Sequence, residues 1–439
     1  MKILMSAFTC APGYGSEAAI GWNMALETAR LGHEVVVLTD NAFQADIERE
    51  LAAGTLPANL RFDIFTPGWL EKIRNKGLTW GFHSLTWFLV SVLWQFCALF
   101  RARARYKQAD FDLIHHVSFS GIRHPTLLTR LGLPTVIGPL GGGEKVPMRL
   151  RKTFPWKDWC FELLRDAHNW TLRADPITRF AFRDAKLIFL RTGASLVAVP
   201  PRYRNKVHID VGLGIEGTTP ESETAPRQPG ESFRLFYAGR LLMWKGVHLA
   251  IRALASARAQ NVDATLTIVG GGPARRHLEK LVRRLGISDH VTWRGGVSHQ
   301  ELLGMYGANH ALLFPSLRDP GGTVILEAWA HGLPVICLGL GGPGKMVDPT
   351  CGRVVPVANR SEDECVALIA SEIVALAGNE PRRLALSRGA IERSRDFSWS
   401  KIVAALYTEI DNPLRDKTRH VKRMPRAAEI MMSDHASGA

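Results

Sequence analysis

The chain repeats one arrangement: a short apolar strand, a glycine-rich turn, a helix and a second apolar strand. In the first copy Lys2–Ala7 is strand-like and Pro12-Gly13-Tyr14-Gly15 is a turn. Ser16 can cap a helix on which Trp22, Leu26 and Ala29 recur at helical spacing, Gly32 stops it, and Glu34–Thr39 is the next strand. Such a unit belongs in an open, doubly wound parallel sheet. Further strands are expected at 112–117, 135–138 and 186–190. A polar stretch over 217–230, rich in Gly, Pro, Ser, Thr and Glu, reads as a linker. A second series follows it, with strands at Phe233–Ala238, 265–269, 291–294, Ala311–Phe314 and 334–337. The fold expected is α/β, with two Rossmann-like domains facing each other across a cleft, and 439 residues suffice for two such cores. The boundaries read as 1–205 and 206–396, with a helix over 397–412 packing back on the first domain and a basic, mobile tail over 413–439.

The charge narrows the partners. Lys and Arg total 55 against 41 Asp and Glu, a net +14, which favours a phosphorylated small molecule, an acidic membrane surface or nucleic acid. The cations are dispersed, without a recognition helix, an aromatic RNA-binding set or a zinc module, which argues against nucleic acid. Cys10, Cys97, Cys160, Cys337, Cys351 and Cys365 form no C-x-x-C pair and read as reduced thiols of a cytoplasmic protein. Residues 78–100 contain no Asp, Glu, Lys or Arg and are long enough to span a bilayer. Strands of one sheet on both sides argue against a crossing. With Lys72, Arg74 and Lys76 before it and Arg101, Arg103 and Arg105 after it, the segment reads as a helix partly packed on its domain and partly entering an anionic membrane interface. A wholly internal core helix is the alternative.

Three elements of the second half carry chemistry. In Phe236-Tyr237-Ala238-Gly239-Arg240-Leu241-Leu242-Met243-Trp244-Lys245-Gly246 a strand ends, and two cations leave the carboxyl edge of the sheet, where open α/β sheets bind ligands. An Arg fork and a Lys point charge suit a diphosphate; a solvated loop with two surface cations is the other reading. The next strand ends in Gly270-Gly271-Gly272-Pro273, where the backbone can approach a ligand closely. Arg275 stands where a dinucleotide fingerprint needs its last glycine, which weakens an oxidoreductase reading. The third element runs from Phe314 through Asp319-Pro320-Gly321-Gly322-Thr323-Val324 to Glu327 and His331. A buried Glu327 there needs a hydroxyl or a cation as partner.

In this order and spacing the three elements resemble the carboxyl domain of family 4 retaining glycosyltransferases of the GT-B fold. The amino half agrees through Pro12-Gly13-Tyr14-Gly15-Ser16-Glu17, Asp112-Leu113-Ile114-His115-His116 and Gly138-Pro139-Leu140-Gly141-Gly142-Gly143-Glu144, which resemble the branch associated with bacterial polysaccharide assembly. The resemblance covers about residues 1–410. It implies that Arg240 and Lys245 hold a donor diphosphate and stabilise its departure. Gly239, Gly271 and Gly272 would line the donor site, Glu327 would bind the ribose, and Gly321, Gly322, Thr323 and Val324 would offer backbone amides. Asp319, where the family has Glu, would meet the donor sugar. Gly15 and Ser16 would lie near the reacting diphosphate, His115 or His116 near the sugar, and Gly142, Gly143 and Glu144 on the acceptor side. Val117 stands where the family's second histidine is usual, so each histidine reads equally well as functional or as structural. No cofactor and no metal is implied; the nucleotide-diphosphate sugar is a co-substrate and a glycan or lipid-linked molecule the acceptor. Asp110-Phe111-Asp112 precedes a strand and reads as a solvated strand entry, not as a metal motif. A non-catalytic, membrane-attached binder of sugar nucleotides is the alternative function.

Overall fold

The structure, a computed structural model, describes residues 1–79, 83–124, 126–172, 174–216 and 226–415. The strands are β1 (Lys2–Ala7), β2 (Glu34–Thr39), β3 (Leu60–Ile64), β4 (Leu113–Ser118), β5 (Thr135–Leu140), β6 (Leu187–Leu190) and β7 (Val207–Ile209), then β8 (Phe233–Ala238), β9 (Ala264–Val269), β10 (Val291–Gly295), β11 (Ala311–Phe314), β12 (Val335–Leu338) and β13 (Gly352–Val355). They form two parallel sheets, ordered β3-β2-β1-β4-β5-β6-β7 and β10-β9-β8-β11-β12-β13. In β1, Met5 pairs with Val37 on one side and His115 on the other. Ile3, Leu4 and Met5 are all buried, because helices cover both faces of a parallel sheet. Chain order reverses between β1 and β4, and again between β8 and β11, which are the places where doubly wound sheets take ligands.

Two boundaries differ from the sequence reading. The first sheet continues through β7, past residue 205, because Ile188 and Leu190 bring Val207 and Ile209 into register. Residues 146–154, in sequence part of the first domain, bury Val146, Leu150 and Phe154 in the core of the second, and Thr153 Oγ1 donates to Glu362 at 2.7 Å. The carboxyl helix Trp399–Arg415 buries Val403, Leu406, Tyr407 and Ile410 against the Ser16–Arg30 helix of the first domain. Residues 416–439, which hold most of the basic tail, lie outside the described residues, as do 217–225 of the linker and 80–82 of the apolar segment.

The apolar segment is largely a core element. Its helix, His83–Arg105, buries Val90, Trp94, Ala98, Leu99 and Ala102 and leaves Leu89, Phe96 and Phe100 exposed. Among the described residues no helix is long and apolar enough to cross a membrane. Several of the flanking cations expected to meet lipid are engaged within the protein. Arg74 is bound to buried Asp40, and Arg101 and Arg105 converge on buried Asp63. Asp110 and Asp112 likewise serve the backbone, accepting from the amides of Lys107 and Lys2.

Candidate active site

The loop after β8 is shaped by close backbone contacts. Gly246 has φ +75, and a Cβ there would lie 1.8 Å from the Pro315 carbonyl oxygen; at Gly272 it would lie 2.4 Å from that of Leu241. Only glycine permits either approach. The loops after β8 and β9 are joined by Leu241 N donating to Gly271 O at 2.9 Å and Ala274 N to Leu241 O at 3.0 Å. Gly239 and Arg240 therefore leave β8 beside Gly271 and Gly272. Arg240 is exposed and Lys245 half-buried, and Lys245 Nζ lies 2.5 Å from Asp319 Oδ2.

The neighbouring loop after β11 is held equally firmly. Asp319 Oδ1 accepts from Gly321 N at 3.2 Å, and Asp319 O accepts from Gly342 N at 2.8 Å. Gly321 and Gly322 then open the Thr323–Ala330 helix, whose first amides, at Thr323 and Val324, point out of the helix without partners inside it. One turn on, Glu327 is buried. Tyr306 donates its hydroxyl to Oε2 at 2.7 Å, and His299 Nε2 lies 3.1 Å from Oε1. A hydroxyl and an ionisable ring are the kinds of partner a carboxylate on this helix requires.

In the first domain Gly15, not Ser16, occupies the cap position of the Ser16–Arg30 helix; the side chain of Ser16 lies outside the described residues. Glu17, one residue on, ties the start of this helix to the loop after β4 by accepting from Ser120 N at 2.8 Å and Ser120 Oγ at 2.5 Å. Glu144 is buried and accepts from Thr192 Oγ1 at 2.6 Å, while Ser195 donates to Gly142 O at 2.5 Å. Gly142, Gly143 and Glu144 thus form a braced turn beside the cleft.

The structure places both histidines inside the fold. Neither His115 nor His116 has any exposed surface. In His115, Nδ1 lies 3.0 Å from the Tyr407 hydroxyl and Nε2 3.0 Å from Gly138 O. In His116, Nδ1 lies 3.1 Å from Ser6 Oγ and Nε2 3.0 Å from His124 O. Burial lowers their pKa values to about 4 and about 3. Every ring nitrogen is thus used inside the sheet and its flanking elements. The cause is β4, a central strand covered on both faces, so alternation turns each side chain into packed protein.

One cleft residue has no sequence signal that singled it out. Arg191 follows β6 and is buried, with Nε and Nη2 lacking hydrogen-bond partners. It lies beneath Gly141 and reaches the second domain: a Cβ on Gly321 would be 3.9 Å from its Nη1. Burial lowers its pKa against the opposing pull of Glu17, Asp319 and Glu144. Its position at the carboxyl end of a predicted strand was the available clue.

Two facing parallel-sheet domains with loops converging from both switch points define the GT-B architecture. Anabaena HepE in complex with UDP shares it, with TM-score 0.58 and 17% identity over 94% of this chain and 100% of that one. So does sucrose-phosphate synthase from Thermosynechococcus elongatus, with TM-score 0.59 and 18% identity over 95% and 100% of the two chains. Within this architecture, residues 219–376 match the family model of glycosyl transferases group 1. A D-inositol 3-phosphate glycosyltransferase from Corynebacterium aurimucosum is 30% identical over 47% of this chain and 49% of its own length. The chain spans about half the length of the first curated relatives it matches.

Proposed function

We propose that this protein is a retaining glycosyltransferase of family 4 that moves a sugar from a nucleotide-diphosphate sugar to a hydroxyl of a glycan or lipid-linked acceptor. The observation that carries this reading is the convergence of Arg240, Lys245 and the amino end of the Thr323–Ala330 helix at the β8/β11 switch point. Two cations and a set of outward amides suit a diphosphate that gains charge as it leaves. Glu327 takes the ribose, exchanging its exposed partner His299 for a ribose hydroxyl. Asp319 meets the donor sugar or relays Lys245 to it. The acceptor hydroxyl attacks on the face that the phosphate leaves, and a phosphate oxygen takes its proton. The protein contributes position and charge stabilisation, and the two side-chain cations serve where a metal would otherwise be needed. The first domain, with Gly15 and the braced 142–144 turn, receives the acceptor. A role in exopolysaccharide or lipopolysaccharide assembly at the cytoplasmic face of a membrane fits the net +14.

Thermal stabilisation by a panel of nucleotide sugars identifies the donor, since a ligand that binds only the folded state raises its stability. Radiolabelled transfer from that donor to a lipid extract then separates a catalyst from a non-catalytic binder, which would be stabilised without transferring. Arg240→Ala, at an exposed position, is expected to fold normally and lose roughly 100-fold or more in turnover. Wild-type turnover in that variant would overturn the assignment.

A further inference from the structure

The Trp156–Thr171 helix is turned inside out. Its protein-facing stripe, at spacings of three and four, is Asp158, Glu162, Arg165, Asp166 and Asn169. Its solvent-facing stripe, at the same spacings, includes Trp156, Trp159, Cys160, Leu163, Leu164 and Trp170, with Leu164 and Trp170 each 71% exposed. A surface helix in water normally has the opposite arrangement. The inversion is held in place by charge. Glu162 pairs with Arg318 of the second domain at 2.9 Å, Asp166 pairs with Arg151 at 2.5 Å, and Arg165 donates to Glu144 O at 2.6 Å. Rolling the apolar stripe inward would leave buried charges unpaired, which costs far more than the exposed apolar surface.

We infer that this helix is the membrane-docking face of the protein and that its occupant is the surface of an anionic lipid bilayer. Tryptophans at the boundary of an apolar stripe are the side chains that settle at the headgroup level. Cations rim the stripe: Lys145, Arg149 and Lys157 are exposed, as is Lys152, which pairs with Asp363 of the second domain at 2.8 Å, whereas no acidic residue between 145 and 172 is exposed. A two-fold contact with a second copy would set this rim against itself, like charge to like charge. The face is also continuous with the cleft, because Arg318 adjoins Asp319 and Arg165 holds the residue that ends the 142–144 turn. Docking here brings the acceptor side of the cleft to the lipid surface. The inference rests on the proposed transfer reaction only for what the bilayer supplies, a lipid-linked acceptor; binding itself is measured without turnover.

The test is co-sedimentation of the full chain with vesicles of phosphatidylcholine alone and with added phosphatidylglycerol. The double variant Trp159→Glu, Leu164→Glu changes exposed positions only, and its thermal melting and nucleotide-sugar binding report that fold and donor site are intact. The wild-type chain is expected to bind the anionic vesicles with a blue shift of tryptophan fluorescence. The double variant should lose about tenfold or more of that binding, whereas Phe96→Glu with Phe100→Glu, on the His83–Arg105 helix, should bind as wild type. Lys145→Glu with Lys157→Glu should weaken binding and reduce its sensitivity to salt. Unchanged vesicle binding in the Trp159/Leu164 variant overturns the inference, as does a wild-type dimer that the same variant dissociates. Failure of vesicle binding with donor binding intact leaves the transferase reading standing.

Discussion

Lys245 Nζ and Asp319 Oδ2 lie 2.5 Å apart at the mouth of the cleft, so the cation assigned to the donor diphosphate is already paired with the carboxylate assigned to the donor sugar. A nucleotide entering this site must share or displace that pair. Asp319→Asn removes the competing charge and keeps the shape. A nucleoside diphosphate lacking the sugar should then bind about three- to tenfold more tightly in titration calorimetry, while sugar transfer falls. Weaker binding of the bare diphosphate to this variant would show that the pair does not compete with the ligand.

Glu327 depends on Tyr306 for its inner oxygen. Tyr306→Phe leaves a buried carboxylate oxygen without its donor, which should lower stability by about 1–3 kcal/mol in denaturant unfolding. Because the same carboxylate is assigned to the ribose, KM for the donor should rise more than kcat falls. Lost stability with an unchanged KM would assign the pair to packing alone.

Arg191 is a buried cation shared by the two domains. Arg191→Met keeps much of its length beneath Gly141 and removes its charge. Nucleoside diphosphate affinity should fall by about tenfold or more, because a cation with two unpartnered nitrogens is lost from the cleft. Equal affinity in calorimetry would mean that Glu17, Glu144 and Asp319 already neutralise it.

His115 and His116 predict a pH dependence of folding. Their pKa values in the folded protein, about 4 and about 3, lie below the ordinary value of 6.5, so between those limits the unfolded chain binds more protons than the folded one. Stability is therefore full above about pH 6.5 and declines as the pH falls towards 4 and 3, by up to about 1.4 kcal/mol per pH unit for each histidine. Burial lowers His124, His248 and His310 in the same direction, so stability from denaturant unfolding measured from pH 7 to pH 4 should fall at least this steeply, and a flat profile would contradict the burial of both rings.

Much of the frame was legible in the sequence. Strands such as Ala311–Phe314, and Phe233–Ala238 apart from Arg234, are apolar runs ended by Pro315 or Gly239, and a parallel sheet covered on both faces demands that pattern. The place of Arg240 and Lys245 followed from the same local rule, since residues after a strand must emerge at its carboxyl edge. The need of Glu327 for a polar partner was legible as well, because a carboxylate on an apolar helix has few alternatives. The partners themselves were not: Tyr306 and His299 lie 21 and 28 residues away and meet Glu327 only through packing.

What the sequence determined by itself was therefore the set of elements, their parallel pairing and the edge on which each loop emerges, because these depend on near-neighbour sterics and periodicity. Which face of an element looks inward was decided by tertiary structure. The histidines of β4 were ambiguous until both faces of that strand were covered. The Trp156–Thr171 helix has two complementary stripes, and its period alone favours burying the apolar one. Arg318, 156 residues beyond Glu162, reverses that choice, because a buried charge must find its counter-charge wherever in the chain it lies, whereas an apolar stripe can remain at the surface at modest cost.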